Sequence, residues 1–533
     1  MVLQTSDSRP AASGTAVKKL RACCRAPWLA ALVLFVCCVV LYTGNNSIPF
    51  YYHPDEPGKV DQIVHRFRNF HHPLLLLTAT EMTMWLGWIE RTPQHVVEAG
   101  RFVAAVFAAA SVACLFLLAF YRAGWLAAVP VGVIAALHAE LFKLAHYMKE
   151  DPPLMFGLAL TFLAMQIFWR EKSTRTLRFL AVACAVAASG KYLGFIAPLL
   201  ALPLVWFPNC DTLPANKRAR LKTFGGAFGI ALAVINYSFF IHPDKLFRSL
   251  VRETGGAVGG HRGLTRSVPH TEYVTTFLID TTWPIWVFGG ACLLIWIATW
   301  RRRNPVDWIV ALFPIAYVVM LSFSPKISER YLLPVTTMAC FLAGMGIFEL
   351  ASLILPSKKT WLVAARGLLV ASLLALTVKL EMPRLIASYR DYEANDRREF
   401  YIWIETHLPK DAVIAQDDRV NLPDLTRWQH EGEKPLPQKV IGEEFVGDLG
   451  TLDELKKQGV THVAVCDGTF GRFFAGLTPQ SSRREEFLRR KAFYEQLFKE
   501  GQLIWQRPVG AVIYLRPGLK LYRIASPEPA AER

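Results

Sequence analysis

Charge is scarce in this 533-residue chain, with Asp, Glu, Lys and Arg together making 19% of it against 53% hydrophobic residues. A soluble protein of this length would carry about a quarter charged residues and would spread its apolar ones by helical or strand periodicity. A CxxC pair, a metal-ligand spacing and an internal repeat are all missing. Most of the cysteines, among them Cys37, Cys38, Cys114, Cys184, Cys292 and Cys340, lie inside apolar runs, where they read as small core residues and not as bridges. Cys466 alone follows the last apolar run. Gly255-Gly256 and Gly259-Gly260 have no strand before them and no helix after them, so they are not a dinucleotide fingerprint. With Arg252, His261, Arg262 and Arg266 they form a basic loop, a connector or a lid near an anionic ligand.

What the chain has instead is long apolar runs, most of about 18–25 residues, the length that crosses a hydrocarbon core about 30 Å thick. They lie near residues 27–43, 96–121, 125–147, 152–169, 177–190, 193–207, 222–241, 275–300, 306–324, 330–352 and 361–380. The fold expected is a polytopic α-helical membrane protein of about eleven spans. The net charge of +16 does not point to nucleic acid, because the cations cluster between runs. Threading the chain with its N-terminus inside puts Arg170 to Arg178, Lys217 to Lys222, Arg301 to Arg303, and Lys358 with Lys359 on one side, as the positive-inside rule asks. This threading splits 177–207 around Ser189-Gly190-Lys191-Tyr192; one long tilted helix there would reverse every later loop. The first run follows a basic N-terminus, residues 1–26, and is read as a retained span.

The opposite, non-cytoplasmic side receives a long loop (44–95), the turn at Glu150-Asp151, the loop from His242, the turn Ser324 to Arg330, and a tail from 381 to 533. In the first loop Asp55 to Phe70 reads as a polar helical stretch with one apolar face, and Leu74 to Ile89 as an interfacial one. The tail is charged. Helical stretches at Arg398 to His407 and Arg483 to Phe498 alternate there with β-rich runs at Ala412 to Ala415, His462 to Val465 and Ala511 to Leu515. A small soluble α/β domain is expected.

Four places on that side could carry chemistry. Asp55-Glu56, just past the first span, suits a general base taking a proton from an acceptor hydroxyl; the local pattern taken alone favours helix capping ahead of Pro57, and the two readings are compatible. Glu150-Asp151, before Pro152-Pro153, is either a cap or a second acidic site able to hold an acceptor, a sugar hydroxyl or a divalent cation. Lys191, between apolar stretches, is expensive there unless it snorkels or meets an anion such as a phosphate. Arg330 invites the same two readings, and its fork suits phosphate better than an ammonium does.

Taken together these segments resemble the GT-C class of polyprenyl-phosphate-sugar glycosyltransferases, the broad family holding protein O-mannosyltransferases and lipid A aminoarabinose transferases. The matching pieces are Asp55-Glu56, His72-Pro73-Leu74, Lys149-Glu150-Asp151-Pro152, Gly190-Lys191-Tyr192 and Glu329-Arg330-Tyr331-Leu332-Leu333-Pro334. Trp403-Ile404, Leu408-Pro409 and Ala412-Val413-Ile414-Ala415 match the start of the family's soluble tail. The likeness spans most of the chain, in the family's order. It implies a dolichyl- or undecaprenyl-phosphate sugar donor, a lipid, glycan or protein acceptor, and an inverting single displacement. It makes Asp55 the base with Glu56 in support, sets Glu150 and Asp151 on the acceptor side, and gives Lys59, Lys191 and Arg330 to the donor phosphate. It names no certain cofactor and leaves a divalent cation open. Pro57-Gly58-Lys59 departs from the histidine that follows the acidic pair in protein O-mannosyltransferases, and their large internal luminal domain is missing, which puts protein mannosylation in doubt. A bacterial inner membrane with a periplasmic catalytic loop is the expected location. The rivals are a secondary transporter or lipid flippase, disfavoured because the acidic pairs sit at span ends on one face, and a catalytically silent scaffold.

Overall fold

The computed structural model describes residues 14–87, 89–207, 216–259, 264–265, 269–323, 328–356, 359–422, 436–476, 478–479 and 481–524. In hydrocarbon a backbone must satisfy its own polar groups, and each apolar run accordingly forms a helix or a broken pair of helices. Helix α1 (Gly14–Thr43) leads into the long loop, which holds α2 (Pro57–Val64) and α3 (Leu75–Trp85). The bundle continues through α4 (Pro93–Ala123), α5 (Trp125–Ala136), α6 (Ala139–Ala145), α7 (Asp151–Glu171), α8 (Thr174–Gly190), α9 (Ile196–Trp206) and α10 (Lys217–Ile235). After the short α11 (Ser238–Ile241) and the amphipathic α12 (Pro243–Gly259) come α13 (Pro269–Asp280), α14 (Trp283–Ala298), α15 (Pro305–Ser322), α16 (Leu333–Ile354) and α17 (Thr360–Glu393).

Among the described residues six helices are long and apolar enough to cross a membrane alone, or eight if the bent pairs α5–α6 (56°) and α13–α14 (114°) each count as one. The expected eleven are therefore not reached. Helices α8 and α9 are short, at 17 and 11 residues, and the first turns of α10 carry Lys217, Arg218, Arg220 and Lys222. The run at 275–300 is two helices broken at Thr281-Thr282, where Glu381 accepts from both the backbone N–H and the hydroxyl of Thr282.

Ion pairs sort the helix ends into two sets. At one end Arg122 meets Asp307 at 2.6 Å, Arg170 donates to the Tyr121 carbonyl at 3.1 Å, and Arg303 meets Glu349 at 2.7 Å. At the other, Lys191 at the close of α8 meets Asp151 at the start of α7 (2.7 Å), and Arg330 before α16 meets Asp55 in the long loop (2.9 Å). The chain thus breaks at Lys191, where the charge pattern divides it, and α9 turns back against α8. Two glycines make that meeting close. A Cβ on Gly157 would lie 2.2 Å from the Cα of Ala187, and one on Gly190 would lie 2.6 Å from the backbone N of Leu154. Helices α7 and α8 therefore touch backbone to backbone, as small residues allow in membranes.

The tail folds as α18 (Asp396–His407) followed by a five-stranded sheet: β1 (Val413–Asp417), β2 (Lys439–Glu443), β3 (His462–Cys466), β4 (Gln502–Gln506) and β5 (Leu519–Arg523). The strand order is β2-β1-β3-β5-β4, with β1 parallel to β2 and β3, and β5 antiparallel to β3 and β4. Strand β3 is buried throughout: Val463 and Val465 pack on one side with Tyr494 and Leu497, Ala464 and Cys466 on the other with Phe400 and Ile404. Both faces are covered, which is why this strand reads as a continuous apolar run. The segment Ala511 to Leu515, expected as a strand, is a turn: Leu515 and Arg516 donate their N–H groups to the Val512 carbonyl, and strands lie on either side of it. Pro508, Gly510, Pro517 and Gly518 flank it and break the ladder. The turn is tied to the end of α17, where Asp391 accepts from Val512 N (2.8 Å) and from Arg516 (3.0 Å).

Replacing Gly157 with Val forces α7 and α8 apart and should cost about 1–3 kcal/mol as an overpacked contact. Gly225→Ala, where nothing lies within 4 Å of the added carbon, should be neutral. Thermal unfolding of the detergent-purified variants checks the contrast.

Candidate active site

The site is built on Arg101, which is fully buried on α4. Its guanidinium holds Glu56, also fully buried, with Nε at 2.9 Å and Nη2 at 2.5 Å. The same group donates to the carbonyls of Asn46 (2.9 Å), Ile48 and Pro49 (3.3 Å), so one side chain gathers the loop that follows α1. Glu56 completes its valence by accepting from Met148 N at 2.8 Å, which brings in the stretch before α7. Glu56 marks the helix start but makes no side-chain cap bond, and its carboxylate is spent on this clamp.

With Glu56 fixed, Asp55 is turned the other way. Its carboxylate accepts from Lys149 Nζ and from Arg330 Nη1 (2.9 Å), and its side chain stays 40% exposed, open enough to meet a ligand. The N–H of Asp55 donates to His53 Nδ1 at 3.1 Å. Burial and the nearby Lys149 hold the imidazole of His53 well below its usual range, hence uncharged, as an accepting Nδ1 requires. The capping reading of Asp55 is thus not what its side chain does.

Lys59 links the two acidic pairs. Its Nζ donates to the Asp55 carbonyl at 3.1 Å and lies 3.4 Å from Glu150. Glu150 also lies 3.8 Å from His72 Nε2. Burial works against the Glu150 carboxylate, but His72 and the lysines at 59, 149 and 191 hold it down at about 2. Glu150 precedes α7 without a capping bond of its own. Asp151 is taken by Lys191, whose ammonium also sits 4.7 Å from the Tyr331 ring, and Arg330 lies 5.7 Å from the same ring. The long loop is seated against this end of α8 by Tyr192, which donates to the Phe70 carbonyl (2.8 Å), and by Asn236, which bridges Leu74 N and the Ser189 hydroxyl (2.8 and 2.7 Å).

Every residue singled out from the sequence except Glu56 and Asp151 lines one cavity of about 370 Å³: Asp55, Lys59, Glu150, Lys191 and Arg330, joined by His72 and Tyr331. Lys191, His72 and Tyr331 also form the wall of a second, more apolar cavity bounded by Leu193, Leu250, Met320 and Leu321. A polar chamber and a greasy slot therefore share one partition. Sequence reasoning gave no role to Arg101, Lys149 or Tyr331. Arg101 had a usable signal, as a lone cation inside an apolar run. From the basic glycine loop, His261, Arg262 and Arg266 lie outside the described residues. Among the described residues no group of three or more His, Cys, Asp or Glu could hold a metal ion. Glu150 and Asp151, the pair suited to a divalent cation, each face an ammonium group here, Lys59 and Lys191.

The architecture is that of the GT-C membrane fold. Two solved structures share it over nearly their whole length. ArnT from Cupriavidus metallidurans bound to undecaprenyl phosphate matches 93% of this chain and 98% of its own at 12% identity, with a TM-score of 0.52. The same protein in the apo state matches 93% and 99% at 14% identity, with a TM-score of 0.50. No family model matches the sequence, and no curated protein does.

Two outcomes follow from the geometry. Glu56→Ala leaves Arg101 buried without its anion and should cost about 3–5 kcal/mol, far more than the paired replacement of both residues by apolar ones of similar size; thermal unfolding of single and double variants tests this. His72 is held down to about 4 by burial, below its ordinary 6.5. A histidine lowered on folding binds its proton more readily in the unfolded chain, so its contribution to stability is complete above about 6.5 and is lost as pH falls toward 4. His72→Gln should flatten the pH dependence of the melting temperature across that window.

Proposed function

We propose that this chain is a membrane glycosyltransferase that moves a sugar from a polyprenyl-phosphate donor to an acceptor hydroxyl, at the non-cytoplasmic face of a bacterial inner membrane. The observation that carries the reading is the exposed Asp55 carboxylate, framed by Lys149 and Arg330, in a chamber that shares a wall with an apolar slot. An isoprenoid tail fits the slot, and the phosphate fits the cations at its mouth. The shared fold with a protein solved with undecaprenyl phosphate supports the same donor class.

The chemistry follows from placement. The acceptor O–H gives its proton to Asp55 as its oxygen bonds to the anomeric carbon. The bond from that carbon to the phosphate oxygen breaks, the electron pair leaves with the phosphate, and the carbon inverts. Lys191, Arg330 and Lys59 stabilise the charge that grows on the departing phosphate, where fixed cations lower the barrier most. Without donor, Arg330 and Lys149 occupy the Asp55 carboxylate. A phosphate competing for these cations frees the carboxylate's lone pairs, so the base is released when the donor is in place. Glu56 supports the base indirectly by holding its backbone through Arg101. Glu150 lines the chamber on the acceptor side, and Asp151 orients Lys191.

Asp55→Asn keeps the shape and removes the base. Sugar transfer should fall by about 10²–10⁴-fold, the range general-base catalysis supplies, while insertion and undecaprenyl phosphate binding persist. Comparative mass spectrometry of glycolipids and glycoproteins from cells with and without the chain identifies the product. Transfer that is unchanged in the Asn variant would remove Asp55 from the mechanism; no altered glycan in the absence of the chain would favour a transporter or a scaffold.

A further inference from the structure

The C-terminal sheet has a topological switch point. From β1 the chain leaves toward β2 on one side, and from β3 it leaves toward the opposite side, so the carboxyl ends of β1 and β3 open a crevice between them. Open α/β sheets bind their ligands at such crevices. Here the crevice holds a cavity of about 270 Å³, walled by Arg419, Asn421 and Arg397 from the soluble domain and by Tyr51 and Tyr52 from the loop that carries Asp55.

The charge in that crevice is unbalanced. Arg397 is only 6% exposed. It donates to the carbonyls of Tyr514 and Arg419 (3.1 Å) and lies 4.6 Å from the Tyr52 ring, while its Nε has no hydrogen-bond partner. Arg419 donates to the Gly468 carbonyl at 2.9 Å. Among the described residues neither guanidinium has a carboxylate in contact, and Asp418 is the only acid in the lining. By contrast Arg516, close by, is held by both Asp391 and Asp396 (3.0 and 2.9 Å). A buried guanidinium facing only neutral dipoles is costly unless an anion completes it. Tyr51 and Tyr52 supply flat amphipathic rings beside these cations, a setting for a sugar ring that bears the anion.

Pro54 and Gly58 line both this crevice and the Asp55 chamber. A group held in the crevice therefore sits just across the turn that presents the base. We propose that the crevice is a binding subsite for an oxyanion-bearing saccharide, a phosphorylated or carboxylated sugar, that forms the part of the acceptor next to the reacting hydroxyl. This assignment rests on the transferase reading for its purpose, though not for its ligand chemistry. Binding energy from such a remote group serves to orient the reacting hydroxyl.

The test uses the full-length protein in detergent, with glucose 1-phosphate, glucuronate and glucose titrated separately and thermal unfolding as the readout. A saturable rise is expected with one or both anionic sugars and none with glucose; which of the two binds tells phosphate from carboxylate. Arg419→Gln should weaken that binding at least about tenfold, the equivalent of 1.4 kcal/mol. Lys191→Gln should leave it intact. Asn421→Asp, which adds a carboxylate to the wall at a left-handed position that Asp tolerates (φ 56°), should weaken it too and serves if the Arg419 variant does not fold. No saturable response to either anionic sugar, or one unchanged in both crevice variants, overturns the subsite. Undecaprenyl phosphate titrated in parallel reports the donor reading separately, with loss expected in Lys191→Gln and retention in Arg419→Gln.

Discussion

The buried pair of Arg101 and Glu56 is the constraint on which the candidate site depends. A fully buried arginine on an apolar helix has no water to solvate it, so its five donors must all find protein acceptors. It finds them in one place, the Glu56 carboxylate and the carbonyls that follow α1. That arrangement converts a solvation problem into a mould for the loop. Because Asp55 precedes Glu56, fixing one carboxylate inward leaves the adjacent one facing the chamber. Two neighbouring acids thus differ in what they can do through environment alone.

A second constraint acts through backbone contact between α7 and α8. Gly157 and Gly190 let the helices touch, and this sets Asp151 beside Lys191 at the same end of the bundle as Asp55 and Arg330. Four segments distant in sequence meet there, and the charges of each are answered by those of another. Lys59, Lys149, Lys191 and Arg330 answer the carboxylates of Asp55, Glu150 and Asp151. Under the proposed reaction, a phosphate entering this network would meet cations already in place, so little reorganisation would be needed.

Much of this was legible in the sequence, for identifiable reasons. Run lengths located most helices of the bundle, though not α12, which reads as a loop, and the basic clusters between runs located the break at Lys191, because charge in a membrane protein is confined to a few places and so carries topological information. Run length alone did not give the span count: α8 and α9 are short, α10 opens on four cations, and the described helices hold six to eight candidates. The turn at 511–515 was missed for a different reason. Its residues have strand propensity, and the flanking prolines and glycines, which break pairing, outweighed it. The capping readings of Asp55 and Glu150 were reasonable from local pattern, yet side-chain direction is decided by partners more than forty residues away in sequence, Lys149 and Arg330 for one and Lys59 for the other.

The soluble domain is usually the part of such a chain that seems separable, but its contacts argue for integration. The turn between β4 and β5 places Tyr514 with its ring 4.2 Å from that of His53, the residue whose Nδ1 accepts the Asp55 N–H. Arg516 and Asp391 fasten that turn to the last membrane helix, so the ring cannot shift without α17 shifting too. The backbone that presents Asp55 is therefore held from two sides, by Arg101 from within the bundle and by Tyr514 from the soluble domain. The sheet thus leans on the loop that carries Asp55, with the open ends of β1 and β3 over it, so under the subsite proposal an occupant of the crevice would bear on where that carboxylate points.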